Sequence, residues 1–267
     1  MTSHFPNPHP SIKKVFWPTK PIIAMIHVFE GNLESQINQA LLDLSLLEKW
    51  VDGVIVENYD CGYKDSNLAT KEMVERLIAV TKAVVKHTSR PVGVNVLPND
   101  YEQAFQICAK TGARFVQLDH VTGQFVGKSS VDPEHLLSVR KQYEDVILLG
   151  GIHPKYYTLV DPSTPISQSA VTAKQLTDAI VVTGEYTGGE TQMDDLQKVK
   201  TAAPDCALII GSGLNVRNIK DQLSVADGAI VGTAFKRDGV KPGSQIDKKL
   251  VSSFCSEVSK HFGISGR

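Results

Sequence analysis

From residue 21 onward the chain alternates short β-branched apolar runs with longer stretches of helical periodicity, and it does so eight times. Alternation of that kind calls for a parallel sheet joined by crossover helices. The apolar runs lie at 21–28, 53–58, 92–97, 115–120, 146–153, 179–183, 207–210 and 228–231. They are nearly continuous, as strands covered on both faces are. Helical segments are expected at 32–50, 68–87, 100–110, 132–143, 169–177, 194–203, 215–223 and 246–262. Asn32 and Asp100 are placed to cap two of them, Pro133 suits a first helical turn, and Gly112 closes the third helix. Eight βα units over 21–267 predict a closed (β/α)₈ TIM barrel, with 1–20 as an N-terminal arm or cap. An open doubly wound sheet fits less well, because no GxGxxG follows the first strand and no domain break interrupts the chain.

The last two runs end in glycine. Residues 207–210 lead into Gly211-Ser212-Gly213, and 228–231 lead into Gly232-Thr233. Glycine at the carboxyl end of a strand lets an anion approach the backbone. In a (β/α)₈ barrel the loops after strands seven and eight commonly hold a phosphate. Gly211, Ser212, Gly213, Gly232 and Thr233 are therefore the expected cradle, with the helix starting near Asn215 adding its positive end. The bland account is that these glycines only permit tight turns.

Composition narrows the partners. Twenty-eight basic residues against 29 acidic ones give a net charge of −1, so nothing calls for nucleic acid or an anionic membrane. No apolar run approaches the ~18 residues that span a bilayer. Cys61, Cys108, Cys206 and Cys255 form no CxxC pair and lack zinc spacing, so a reducing, cytoplasmic setting is expected. The first 20 residues carry Pro, His, Ser and Lys but no signal-like apolar stretch; organelle targeting by this arm stays open.

Polar residues at strand ends point to a site at the barrel mouth. They are His27, Glu57, Asn58, Asn95, Asp119, His120, His153, Lys155, Thr183, Glu185 and Thr187. Glu57 directly follows Val54-Ile55-Val56 and is the foremost acid–base candidate. Its structural alternative is a salt bridge to Lys155 or hydrogen bonding inside the rim. His27, Asp119, His120 and His153 are of types that shuttle protons or bind a divalent metal, but they share no HxxxH spacing. Lys155 lies past Pro154 in a loop, so it suits phosphate or carboxylate binding better than a Schiff base. Thr187-Gly188-Gly189 reads as a turn able to fold over a ligand, or as an ordinary βα turn. Walker loops and nucleophile elbows are absent from the sequence.

Several stretches resemble the BtpA/SgcQ family, also called the photosystem I biogenesis protein BtpA family. They are AMIHV (24–28), DGVIVEN (52–58), GVNVLPND (93–100), VTG (182–184), TG (187–188), GSGLNVRNI (211–219) and ADGAIVGTAFKRDG (226–239). The resemblance implies a barrel of the ribulose-phosphate-binding type. It implies site roles for His27, Glu57, Asn58, Asn95, His153 and Lys155 together with the cradle glycines, and it brings Gly184 into the ligand-binding set. Departures from the family pattern gather at the ligand end: a short Phe29-Glu30-Gly31 loop, Pro98 before Asn99, Asp119-His120 closing strand four, Gly150-Gly151, and Tyr156.

The leading expectation is an enzyme acting on a phosphorylated small molecule, a sugar phosphate or a nucleotide-derived one. Glu57, His27, His153, Lys155 and Asp119 would be its catalytic residues. Asn58, Asn95, His120, Thr183, Gly184, Thr187, Gly188 and the cradle would bind the ligand. No cofactor is expected, a homo-oligomer is, and neither nucleic acid nor membrane is a partner. Two alternatives stay open: a non-catalytic assembly factor on a retained barrel, as the family name suggests, and a metal-dependent hydrolase.

Overall fold

The computed structural model describes residues 11–16, 20–59, 61, 68–241 and 243–263. Within the expected N-terminal arm, residues 1–10 and 17–19 lie outside the described ones. Eight parallel strands close into a barrel in chain order: β1 Ile22–His27, β2 Gly53–Glu57, β3 Val92–Asn95, β4 Phe115–Leu118, β5 Ile147–Ile152, β6 Ala179–Val182, β7 Ala207–Ile210 and β8 Gly228–Val231. Pairing of Ala24 with Val231 closes the ring. The surrounding helices are α1 Leu33–Leu47, α2 Lys71–Lys86, α3 Tyr101–Thr111, α4 Pro133–Arg140, α5 Ile166–Ala173, α6 Met193–Ala202, α7 Ile219–Val225 and α8 Lys248–Phe262.

Capping explains several helix starts. Asn32 accepts from the Ser35 amide at 2.8 Å, Asp100 from Gln103 at 3.2 Å, and Asp132 from Glu134 at 2.9 Å just before Pro133. Two helices are displaced from their expected positions. Pro165 opens α5 at Ile166, and Thr177 is drawn into the sheet, its hydroxyl donating to the Leu148 carbonyl at 2.6 Å. Asn215 and Asn218 lock a turn that delays α7. The Asn215 amide donates to Asn218 Oδ1 at 2.7 Å, and the Arg217 amide donates to Asn215 Oδ1 at 3.0 Å.

Strand alternation splits the core in two. Ile23, Met25, Ile55, Phe115, Ile147, Leu149, Ala179, Val181, Ala207, Ile209 and Ile230 fill the barrel interior. Their neighbours along each strand pack outward against the helices. Odd positions therefore face inward on β1–β7 and even positions on β8, which fixes what reaches the mouth. The N-terminal end is stoppered by Ile12 and Phe16, both buried, and Phe16 meets Phe115 edge to face at 5.0 Å between ring centres. Aspartates preceding even strands staple the same end. Asp52 accepts from the Ile22 amide, Asp178 from Leu148 and Asp227 from Leu208, at 2.7–2.8 Å.

Candidate active site

The inward period continues past the apolar layers to His27, Glu57, Asn95, Gln117, Asp119, Gly151, Thr183, Gly211 and Gly232. All line one cavity of about 850 Å³ at the C-terminal mouth. Register sets three of them side by side, His27 against Glu57 and Glu57 against Asn95. A cavity of this volume suits a small metabolite.

Glu57 and Asp119 form an acidic pair on the cavity wall. Asn95 Nδ2 donates to Glu57 Oε2 at 2.6 Å and reaches Asp119 Oδ1 at 3.5 Å. The Tyr157 hydroxyl lies 3.4 Å from Asp119 Oδ2, and Gln117 also hydrogen-bonds that carboxylate. Burial and the charge of Asp119 raise the Glu57 pKa to about 7, against the pull of Lys155 and Asn95. Burial raises Asp119 as well, but Lys155 and three hydrogen-bond donors oppose it. Fewer groups hold the charge of Glu57 than that of Asp119.

His27 Nε2 stands 3.9 Å from Glu57 Oε1. Burial, then the charges of Lys236 and Lys155, push its pKa well below the usual imidazole value. The ring is neutral at pH 7, so this contact is not an ion pair. The ring packs edge to face on Tyr59, 5.0 Å between centres. Lys155 places its charge within reach of His27, Glu57 and Asp119 together. Its backbone amide donates to Thr183 Oγ1 at 3.2 Å, which fixes the loop after β5 against β6.

The glycine-ended strands complete the mouth, with Gly232 of the β8 end beside His27. Gly213 is left-handed at φ 74°, and a Cβ there would lie 2.1 Å from the Gly189 carbonyl oxygen. No other residue fits that position without moving backbone. The cradle is narrower than the sequence implies. The Gly211 amide donates to Val182 at 2.7 Å, and the Ser212 hydroxyl is engaged by the Gly184 amide and the Gly189 carbonyl. Among the described residues, the N–H groups of Gly213, Gly232 and Thr233 donate to no protein oxygen. The expected helix start at Asn215 is corrected by the Asn215–Asn218 turn, which moves the helix to Ile219. A 3-10 turn at Thr233–Phe235 follows β8 instead. Arg217 adds a cation to the same cavity.

The loops after β5 and β6 meet over the mouth. Tyr156, left-handed at φ 66°, accepts the Thr187 amide on its hydroxyl at 2.9 Å. Gly188 lies against Thr233, so the loop after β6 rests on the cradle. Thr187 and Gly188 both line the cavity.

Four of the expected catalytic and ligand-binding residues fall outside it, as does the strand-end Glu185. Asn58, His120 and Gly184 are even-numbered, and their strands turn such positions away from the interior. Asn58 instead fastens a loop, donating to Cys61 and Leu97 carbonyls and accepting the Leu97 amide at 2.8 Å. His120 packs on Phe125 and borders a separate cavity of about 180 Å³; burial and Lys128 lower its pKa to about 4. Gly184 gives its amide to Ser212 Oγ at 2.7 Å. His153 has inward parity, but its backbone turns left-handed at φ 45° and its Nε2 meets Ser169 Oγ at 2.9 Å. The expected convergence of these four on the cavity is thus corrected. With His120 and His153 removed, the histidine–carboxylate set disperses. Among the described residues no three His, Cys, Asp or Glu side chains are placed to hold a metal ion. Gln117, Tyr59 and Tyr157 join the cavity unforeseen. Strand parity announces Gln117, whereas the tyrosines come from loops that carry no comparable signal.

The fold and the cavity define a (β/α)₈ barrel whose buried acid–amide cluster faces glycine-ended strands seven and eight. The chain belongs to the BtpA family, whose profile matches residues 18–260. It is 30% identical over 242 residues to an uncharacterized protein of Pyrococcus furiosus, covering 85% of this chain and 91% of that one. It is 28% identical over 263 residues to the photosystem I biogenesis protein BtpA of Synechocystis, covering 92% and 91%. In fold it is similar to N-(5'-phosphoribosyl)anthranilate isomerase of Pyrococcus furiosus, with TM-score 0.56 and 16% identity, covering 90% of this chain and 99% of that one. Among the described residues, no helix is long and apolar enough to cross a membrane.

Proposed function

We propose that this protein is an enzyme acting on a phosphorylated small metabolite by acid–base chemistry at the barrel mouth. The amides of Gly213, Gly232 and Thr233, with Arg217, hold the phosphate. Glu57 moves the proton. The charge of Asp119 keeps Glu57 basic, while Lys155 meets a carbonyl or hydroxyl oxygen of the substrate. Neutral His27 orients the reacting end. The observation that carries this reading is a buried carboxyl poised at about pH 7 on the same cavity as the glycine cradle. A general acid–base works best with a pKa near the operating pH.

The test is a thermal-shift screen of the full chain against inorganic phosphate and a panel of phosphorylated metabolites, followed by turnover assays on the hits. A ligand at a hundred times its Kd is expected to raise Tm by about 5–10 °C. Glu57→Gln is expected to keep that shift and lose turnover. No shift with any phosphorylated compound overturns the proposal. A second reading, assembly factor rather than enzyme, is favoured by the name of the Synechocystis relative, photosystem I biogenesis protein BtpA. It requires that Glu57→Gln leave the biological role intact.

A further inference from the structure

Asp119 follows β4, the cradle follows β7 and β8, and half the ring lies between β4 and β8. Above the sheet the two are nevertheless joined, through the loops after β6 and β5. The loop after β6 is a wall of the cradle. A Cβ on Gly213 would lie 2.1 Å from the Gly189 carbonyl oxygen, and one on Gly188 would lie 3.0 Å from Thr233 Cγ2. Ser212 Oγ donates to the same Gly189 carbonyl at 3.1 Å. Both halves of the cradle therefore bear directly on this loop, with no space between for a methyl group.

One hydrogen bond leads onward from the tip of that loop. The Thr187 amide donates to the Tyr156 hydroxyl at 2.9 Å. The next residue, Tyr157, sets its own hydroxyl 3.2 Å from the Pro98 carbonyl and 3.4 Å from Asp119 Oδ2. A second tie holds the base of the same loop, where the Lys155 amide donates to Thr183 Oγ1 at 3.2 Å. Movement is thereby confined to the tip.

Tyr156 is the unusual member of this series. It is 71% exposed, so its ring gains little from burial, and it is left-handed at φ 66°. Glycine or asparagine would hold such a turn at lower cost. What tyrosine supplies is reach, since its hydroxyl takes the Thr187 amide across the gap between two loops. A left-handed residue of this kind persists where its side chain is needed. The bond it makes is open to water, which replaces either partner readily, so forming or breaking it costs little. It is the step in the series that can answer to a ligand.

Resting on the phosphate-site reading above, we propose that Tyr156 is a positioning residue. Phosphate in the cradle orders the loop after β6, and Tyr156 passes that order to Tyr157 and to the Asp119 carboxylate. The acid pair is then set only when the phosphate of a substrate is already held.

The experiment is hydrogen–deuterium exchange of the full chain with and without inorganic phosphate, on wild type and on Tyr156→Phe, which keeps the ring and loses the hydroxyl. In wild type, saturating phosphate is expected to slow exchange about threefold or more at 211–215, 185–189 and 154–158. In Tyr156→Phe the first two segments keep that protection and the third loses it. Calorimetric titration with phosphate reads the same link from the other side, because coupling is reciprocal. Tyr157→Phe is expected to weaken phosphate binding about threefold in wild type and less than about 1.5-fold in the Tyr156→Phe background. Neither change alters charge, and a merely structural role for Tyr157 would weaken both backgrounds alike. If Tyr156→Phe does not fold, the wild-type exchange pattern alone decides. Protection confined to 211–215 and 185–189 in wild type overturns the link and leaves the phosphate site standing. Protection at 154–158 that survives in Tyr156→Phe removes the role assigned to that hydroxyl. No protection and no heat with phosphate overturn both readings.

Discussion

The carbonyl oxygen of Asp119 occupies the space where a side chain at Gly151 would begin; a Cβ there would lie 1.9 Å from it. Strand β5 is bare at that point so that the chain leaving β4 can lean in and present the Asp119 carboxylate to the cavity. Gly151→Ala must push that backbone aside. We expect a loss of about 2–4 kcal/mol in urea unfolding. The response to phosphorylated ligands should fall further than stability alone explains, because Asp119 is displaced. Wild-type stability in this variant would show that the approach is not required.

The stopper at the other end of the barrel is equally specific. Phe16 is 1% exposed and is held against Phe115 inside the ring. Phe16→Ala leaves a void under the strands and is expected to cost about 3–5 kcal/mol. Because Phe16 lies far from the mouth, ligand affinity measured where the variant is still folded should be unchanged. A cost below about 1 kcal/mol would mean that the turn at 11–16 is not part of the barrel core.

Much of this architecture is legible in the chain because buried parallel strands announce themselves as short apolar runs, and all eight stand where the runs lie. The site is legible only through strand parity. His27, Glu57, Asn95, Asp119 and Thr183 are odd-numbered and reach the cavity; Asn58, His120 and Gly184 are one step out of phase and pack elsewhere. Reading strand ends as a set, without their alternation, merges the two groups. His153 fails for another reason, since a left-handed residue breaks the alternation and nothing in its side chain foretells it. The Asn215–Asn218 turn likewise replaces a helical start by side-chain hydrogen bonds that compete with the helix.

Gly213 and Gly232 divide the cradle into a part that cannot be altered and a part that can. Gly213 faces backbone at 2.1 Å, so substituting it damages the fold as well as the site. At Gly232 a Cβ would meet side chains, not backbone: His27 Cε1 at 3.2 Å and Met25 at 3.5 Å, with φ negative at −121°. Gly232→Ala is therefore the cleaner probe. It should remain within about 1 kcal/mol of wild type in urea unfolding and weaken binding of a phosphorylated ligand about tenfold. Unchanged affinity in a folded Gly232→Ala protein would remove β8 from the phosphate site.

Glu57 ties stability to pH with a definite sign. Its carboxyl is raised from 4.5 to about 7 in the fold, so between those values the folded chain holds a proton that the unfolded chain has lost. The stabilisation from that proton is complete below pH 4.5 and is lost as pH rises through about 7. His27 acts oppositely: kept neutral by burial, it loses stabilisation as pH falls below 6.5. The two effects oppose one another in the wild type, so the Glu57→Gln variant is needed to separate them. Glutamine resembles the protonated acid, and the variant should match wild type at pH 5. It should become more stable than wild type by ~3 kcal/mol at pH 8, the cost of ionising the buried acid. Urea unfolding of both proteins across this range measures the difference directly. If that difference stays flat, Glu57 ionises at ordinary carboxylate pH and does not serve as the proton carrier.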